Sequence, residues 1–134
     1  MTKVLITGTF DILHPGHLSL FKQAKKLGDF LIVVVARDST VVKVKGARPL
    51  HNQNARVRKI KKIKIADRVV LGRHGDKLKI IELIKPDIIG LGYDQRAFTK
   101  NIRAELKTRG LTPRIVRLKA YRPLRYKSSL LRRA

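Results

Sequence analysis

The sequence has no cysteine and only nine acidic residues. Without cysteine there is no disulfide framework, no thiolate metal site and no cysteine nucleophile. That composition suits a reducing cytoplasm, which is the expected location. Long apolar runs are missing as well. Phe30-Leu31-Ile32-Val33-Val34-Val35-Ala36 is far too short to span a bilayer, so no membrane partner is expected. The chain enters a strand-like run at once, and no signal-peptide layout is expected. Phe and Tyr are few, and they offer no visible platform for stacking bases.

What is present is a chain of 134 residues, 43% of them apolar. That is enough to bury a core in one domain, here residues 1–134. Thirty-two Lys and Arg give a formal charge of +23. Nine of them lie in Lys43–Lys64 and twelve in Lys100–Ala134, and no acid lies in the first stretch or beyond Glu105. Such a field draws polyanions. Nucleotides, flavin phosphates and RNA all qualify, and charge alone favours nucleic acid.

Apolar runs at Lys3–Thr7, Phe30–Ala36, Arg68–Leu71, Asp87–Leu91 and Arg114–Leu118 read as buried strands. Helical spacing covers Gly16 to Leu27, His51 to Ile65 and Arg96 to Arg109. A further helix carries Leu78, Ile81 and Ile84, with Asp76 as its cap and Pro86 beyond its end. Arg37–Leu50 reads as irregular, broken by Gly46 and Pro49. Ser128-Ser129 opens a short terminal helix. The alternation predicts an α/β fold: a Rossmann-like, doubly wound, five-stranded parallel sheet with helices on both faces. Ligands of such sheets sit beyond the carboxyl ends of the strands.

The loop after the first strand lies there. It reads Gly8-Thr9-Phe10-Asp11-Ile12-Leu13-His14-Pro15-Gly16-His17. Gly8 allows close approach of backbone to a ligand, and Pro15-Gly16 is expected to leave the helix N-terminus open to phosphate. His14 and His17 can donate to phosphoryl oxygens where charge develops. An isolated His-x-x-His is usually a capped turn with two surface histidines, and two histidines alone are weak zinc ligands.

Gly8-Thr9-Phe10-Asp11 followed by His14-Pro15-Gly16-His17 resembles the signature of the cytidylyltransferase-like nucleotidylyltransferases. The resemblance covers essentially the whole chain. It implies transfer of a nucleotidyl group to a phosphorylated acceptor, with a divalent cation, Mg²⁺ or another, bridging phosphates. Lys43-Val44-Lys45 matches the family's Lys-x-Lys. Arg56 stands where the family has an arginine for the triphosphate, with Gln53 in place of the usual glutamate. Gly92-Tyr93-Asp94-Gln95 is similar to the archaeal FAD synthases, which transfer AMP to FMN. Tyr126-Lys127-Ser128-Ser129 matches an element that contacts the β- and γ-phosphates.

The resemblance makes His14, His17, Lys43 and Arg56 the catalytic candidates. Thr9, Phe10, Gly92, Asp94, Tyr126, Lys127, Ser128 and Ser129 join the two histidines as nucleotide contacts. Asp11, Lys45 and Tyr93 are the acceptor candidates, and Asp11 is the one carboxylate suggested for holding the cation. Expected partners are ATP or CTP with FMN or another phosphorylated acceptor, such as glycerol phosphate. Relatives often form dimers, so a homodimer is a further expectation. The alternative of another class is a basic nucleic-acid-binding module on the inherited fold.

Overall fold

The structure is a computed structural model that describes residues 1–76, 78–92 and 101–119. Strands β1 (Lys3–Gly8), β2 (Phe30–Val35), β3 (Arg68–Leu71), β4 (Ile88–Leu91) and β5 (Arg114–Arg117) form one sheet. Its order is β3-β2-β1-β4-β5, and every pair is parallel. The central strands are nearly continuous apolar runs because both faces are covered. Leu31 to Val35 of β2 are all buried.

Successive side chains of a strand point to opposite faces, and β1 divides accordingly. Val4 and Ile6 pack with Phe21 and Ala24 of α1 (Pro15–Lys26) and with Ile60 of α3 (Gln53–Ile63). Leu5 joins the opposite core, with Ile80 and Ile81 of α4 (Lys79–Ile84) and Ile102 and Leu106 of α5 (Ile102–Thr108). Helices therefore cover both faces, as the alternation predicts.

Three expectations need correction or narrowing. Residues 38–45 are not irregular but form helix α2 (Asp38–Lys45), closed by Gly46 at φ 77°. The Asp38 N–H donates to Oε1 of Gln53 at 3.0 Å, which ties the start of α2 to α3. Val41 is the one buried side chain of α2, so the sequence shows no apolar stripe there. The helix expected over Arg96–Arg109 is described from Ile102 to Thr108, and its first part lies outside the described residues. The N-cap of α4 is Leu78, with no side-chain cap, rather than Asp76, which stands two residues earlier and accepts from the Leu78 N–H through Oδ1 at 3.0 Å. The expected terminal helix after Ser128 lies outside the described residues.

The strand order reverses between β1 and β4. The loops leaving these two strands begin at Gly8 and Gly92, so the sheet brings both to the crevice where doubly wound folds bind ligands.

Candidate active site

The loop from Thr9 to His14 is built around a ring beneath it. Phe10 adopts φ 52°, a left-handed conformation unusual for an aromatic residue. This turns the side chain inward, where it is 5% exposed and packs on Phe21 at 5.3 Å between centroids. A Cβ on Gly8 would lie 2.6 Å from Cζ of Phe10, so only glycine leaves room for the ring. Phe10, expected as a nucleotide contact, is the floor of the loop. Its ring meets His17 edge-on at 5.5 Å.

His14 is the N-cap of α1. Its Nδ1 accepts from the Gly16 N–H at 3.1 Å. A neutral His14 thus carries its proton on Nε2. The His17 N–H donates to the His14 carbonyl at 2.9 Å, and the Leu18 N–H to the same carbonyl at 3.3 Å. The expectation of an open helix end is corrected here: these three N–H groups are already engaged.

The His14 and His17 rings stack at 4.0 Å with 27° between their planes. Burial and the neighbouring His14 lower the His17 pKa to about 4, against an opposing effect of the Ile12 carbonyl, and Lys45 lowers it further. His17 is therefore a neutral imidazole at neutral pH. Its Nδ1 is buried with no hydrogen-bond partner. A buried polar atom left unpaired is costly and calls for an explanation such as a ligand.

Lys45 and Lys43 are both exposed on α2. They sit roughly 200° apart around the helix. Lys45 follows Val41 by one turn, on the side of the helix that faces the protein. Lys45 acts electrostatically on His17. The structure thus brings Lys45 to the histidine pair and points Lys43 to another side of α2.

Arg56 is fully buried. Nη1 donates to the carbonyls of Thr9 at 2.9 Å and Ala36 at 2.7 Å. Nε donates to the His51 carbonyl at 3.0 Å, and Nη2 to Oδ1 of Asp38 at 2.7 Å. Arg56 thus lies behind the loop, with its ion pair made to Asp38. Asp11 is also buried, and its two oxygens accept from the N–H groups of Leu50 at 2.7 Å and His51 at 2.9 Å. Sequence reading missed Asp38 and the backbone of His51. The signal for them is spatial: four acceptors from three segments converge on one guanidinium.

These contacts also test the expected cation. Asp11 has both oxygens turned to backbone donors, and among the described residues no three His, Asp or Glu side chains form a cation cage. The described residues, Asp11 among them, do not fit a protein-held cation.

Gly92 is buried, and its carbonyl accepts from Nη1 of Arg117 at 3.3 Å. Beside it a cavity of about 390 Å³ opens between Leu91, Asn101, Ile102, Arg103, Ile115 and Arg117. This cavity is not at the histidine pair. It lies on the β4–β5 side of the crevice. Tyr93, Asp94, Gln95, Tyr126, Lys127, Ser128 and Ser129 lie outside the described residues. Among the described residues no helix is long and apolar enough to cross a membrane.

The family model of the cytidylyltransferase-like proteins matches residues 5–134. The FAD synthase of Aciduliprofundum boonei is 49% identical over 121 residues, 90% of this chain and 80% of that protein. The FAD synthase of Archaeoglobus profundus is 46% identical over 129 residues, 96% of this chain and 82% of that protein. The crystal structure of the lipopolysaccharide core biosynthesis protein from Thermoplasma volcanium GSS1 has a TM-score of 0.85 at 45% identity, covering 90% of this chain and 98% of that one. The chain belongs to the cytidylyltransferase-like family and, within it, groups with the archaeal FAD synthases.

Proposed function

We infer that this protein is a nucleotidyltransferase that moves AMP from ATP to FMN, giving FAD and pyrophosphate. The observation that carries the reading is identity of 41–49% to FAD synthases over most of the chain. The stacked histidine pair at the switch point supports it.

A phosphate oxygen of FMN attacks the α-phosphorus of ATP. One O–P bond forms as the bond to the β-phosphate oxygen breaks, and pyrophosphate leaves with that electron pair. The attacking phosphate is already anionic at neutral pH, so no strong general base is needed. Catalysis rests on alignment and on donors aimed at the charge that builds on the phosphoryl oxygens. His14, with Nδ1 held by the Gly16 N–H, presents Nε2–H. Neutral His17 supplies a second donor once its single N–H turns from the Ile12 carbonyl to a phosphoryl oxygen. Lys45, which acts electrostatically on His17, takes the charge of the phosphates, with Lys43 on another side of α2.

Arg56 and Asp11 act as positioning residues, holding Thr9 and the segment around His51. On the family resemblance, Thr9 and Gly92 join the nucleotide contacts, Tyr93 and Asp94 serve the acceptor and nucleotide, and Tyr126, Lys127, Ser128 and Ser129 the β- and γ-phosphates. A divalent cation accompanying the triphosphate would take phosphate oxygens and water as ligands.

The test is a competition among four pairs: ATP or CTP with FMN or glycerol phosphate. Formation of FAD from ATP and FMN alone supports the reading. Product from CTP and glycerol phosphate with no FAD overturns it.

A further inference from the structure

Among the described residues, seven of the eight acids are engaged by other groups of the chain. Asp11, Asp29 and Asp87 accept from backbone N–H groups of Leu50, His51, Thr2 and Lys3. Asp38 pairs with Arg56, Asp67 with Lys25, and Asp76 and Glu82 with Arg109. The remaining cations are left without acidic partners over wide areas. One such area among the described residues is the second half of α3 and the start of β3. Arg58, Lys61, Lys62, Lys64 and Arg68 are all exposed there, and none makes an ion pair. The adjacent acid in the chain, Asp67, is engaged by Lys25 and the Leu31 N–H.

Helical geometry gathers these charges. Arg56 and Ile60 mark the inward side of α3. At 3.6 residues per turn, Arg58, Lys61 and Lys62 fall within an arc of roughly 100° on the opposite side. The patch is also remote from the histidine pair. α3 returns toward the amino ends of the strands, and Arg68 pairs with Ile32 near the start of β2. A field that served only ATP and FMN would be placed at the carboxyl ends. Concentrating like charge is destabilising by self-repulsion, so its place away from the substrates points to another polyanion.

We propose that the outer face of α3, with Arg68 beside it, binds the phosphodiester backbone of double-helical nucleic acid. Three features choose this partner. Exposed large apolar side chains among the described residues are Met1, Val42, Val44, Leu50 and Leu83, none of them on α3, so the face lacks the anchor of a membrane-surface helix. Aromatic residues are absent from α3 and β3, so bases of a single strand find no stacking platform. Lysine and arginine without base-reading companions give backbone contacts that are independent of sequence.

The experiment uses the full chain and fluorescent duplexes of about 20 base pairs, one RNA and one DNA, titrated between about 50 and 200 mM salt. A variant carrying Arg58→Gln, Lys61→Gln and Lys62→Gln is compared, with its thermal melting as the control for folding. Anionic vesicles and polyglutamate are the other arms. Duplex binding should weaken steeply with salt. The triple variant should bind at least about tenfold more weakly, and its slope of log K against log salt should be shallower by about 3. Binding to one duplex alone identifies the source as RNA or DNA and supports the proposal. Absence of duplex binding at low salt, equal binding by the triple variant, or binding to vesicles or polyglutamate as tight as to duplex would overturn it.

Discussion

Arg56 donates to the Thr9 carbonyl at 2.9 Å from a side chain with no exposed surface. The helix that carries Arg56 thereby fixes the backbone of the loop that carries the two histidines. The same guanidinium reaches Ala36, Asp38 and His51. Arg56→Lys keeps the charge but cannot serve acceptors spread around a planar fork. It should cost about 2–4 kcal/mol in denaturant unfolding and lower kcat, because buried donors and acceptors lose their partners. Asp38→Asn, at the partly exposed end of the same pair, should cost about 1 kcal/mol. Equal stability of Arg56→Lys and the parent would contradict the positioning role.

Gly8 and Phe10 form the second support of the loop. Gly8→Ala puts a methyl group 2.6 Å from the Phe10 ring. Overpacking of this kind costs about 1–3 kcal/mol. The double change Gly8→Ala with Phe10→Leu should recover part of that loss, giving a non-additive cycle in thermal unfolding. Simple additivity would show that the two residues do not compete for the same space.

The His17 ring gives the fold a distinct pH dependence. Its pKa is about 4 in the folded chain, against an ordinary value of 6.5. The unfolded chain therefore binds the proton more readily between these values, and stability falls as pH drops from 6.5 to 4. The contribution, up to roughly 3 kcal/mol, is complete above pH 6.5. Asp67 and Asp76 are held below the ordinary carboxylate value of 3.8, by the Leu31 N–H and by Arg109 first of all. Their contribution is lost only at lower pH, so the two windows separate. Denaturant unfolding of His17→Gln should show a flatter profile between pH 6.5 and 4 than the parent. An identical slope would remove His17 as its source.

Lys45 and Lys43 differ in reach. Lys45→Met removes the smallest of the effects that depress the His17 pKa and should raise that pKa slightly in an NMR titration, with burial and His14 still holding it low. It should also raise KM for ATP about tenfold, as loss of a charged contact to phosphate does. Lys43→Met should leave the His17 titration in place. The reverse pattern would return the site to Lys43.

Much of this was legible in the sequence, for local reasons. Leu31 to Val35 read as a strand because a parallel strand covered on both faces is a continuous apolar run. The histidine loop was legible because its residues are neighbours in the chain. Helix α2 was not, since Val41 alone is buried and no stripe marks it. Phe10 appeared as a ligand contact because only its left-handed backbone reveals that the ring turns inward. Arg56 and Asp11 appeared as site charges because their partners are backbone groups from distant segments, which no spacing encodes.

The most direct measurement is the stoichiometry of the reaction with ATP and FMN, in the parent protein and in His17→Ala. The parent should release one pyrophosphate for each FAD formed. His17→Ala should slow both about 100-fold, as loss of a transition-state donor does. Absence of FAD from the parent, or unchanged turnover in His17→Ala, would contradict the account.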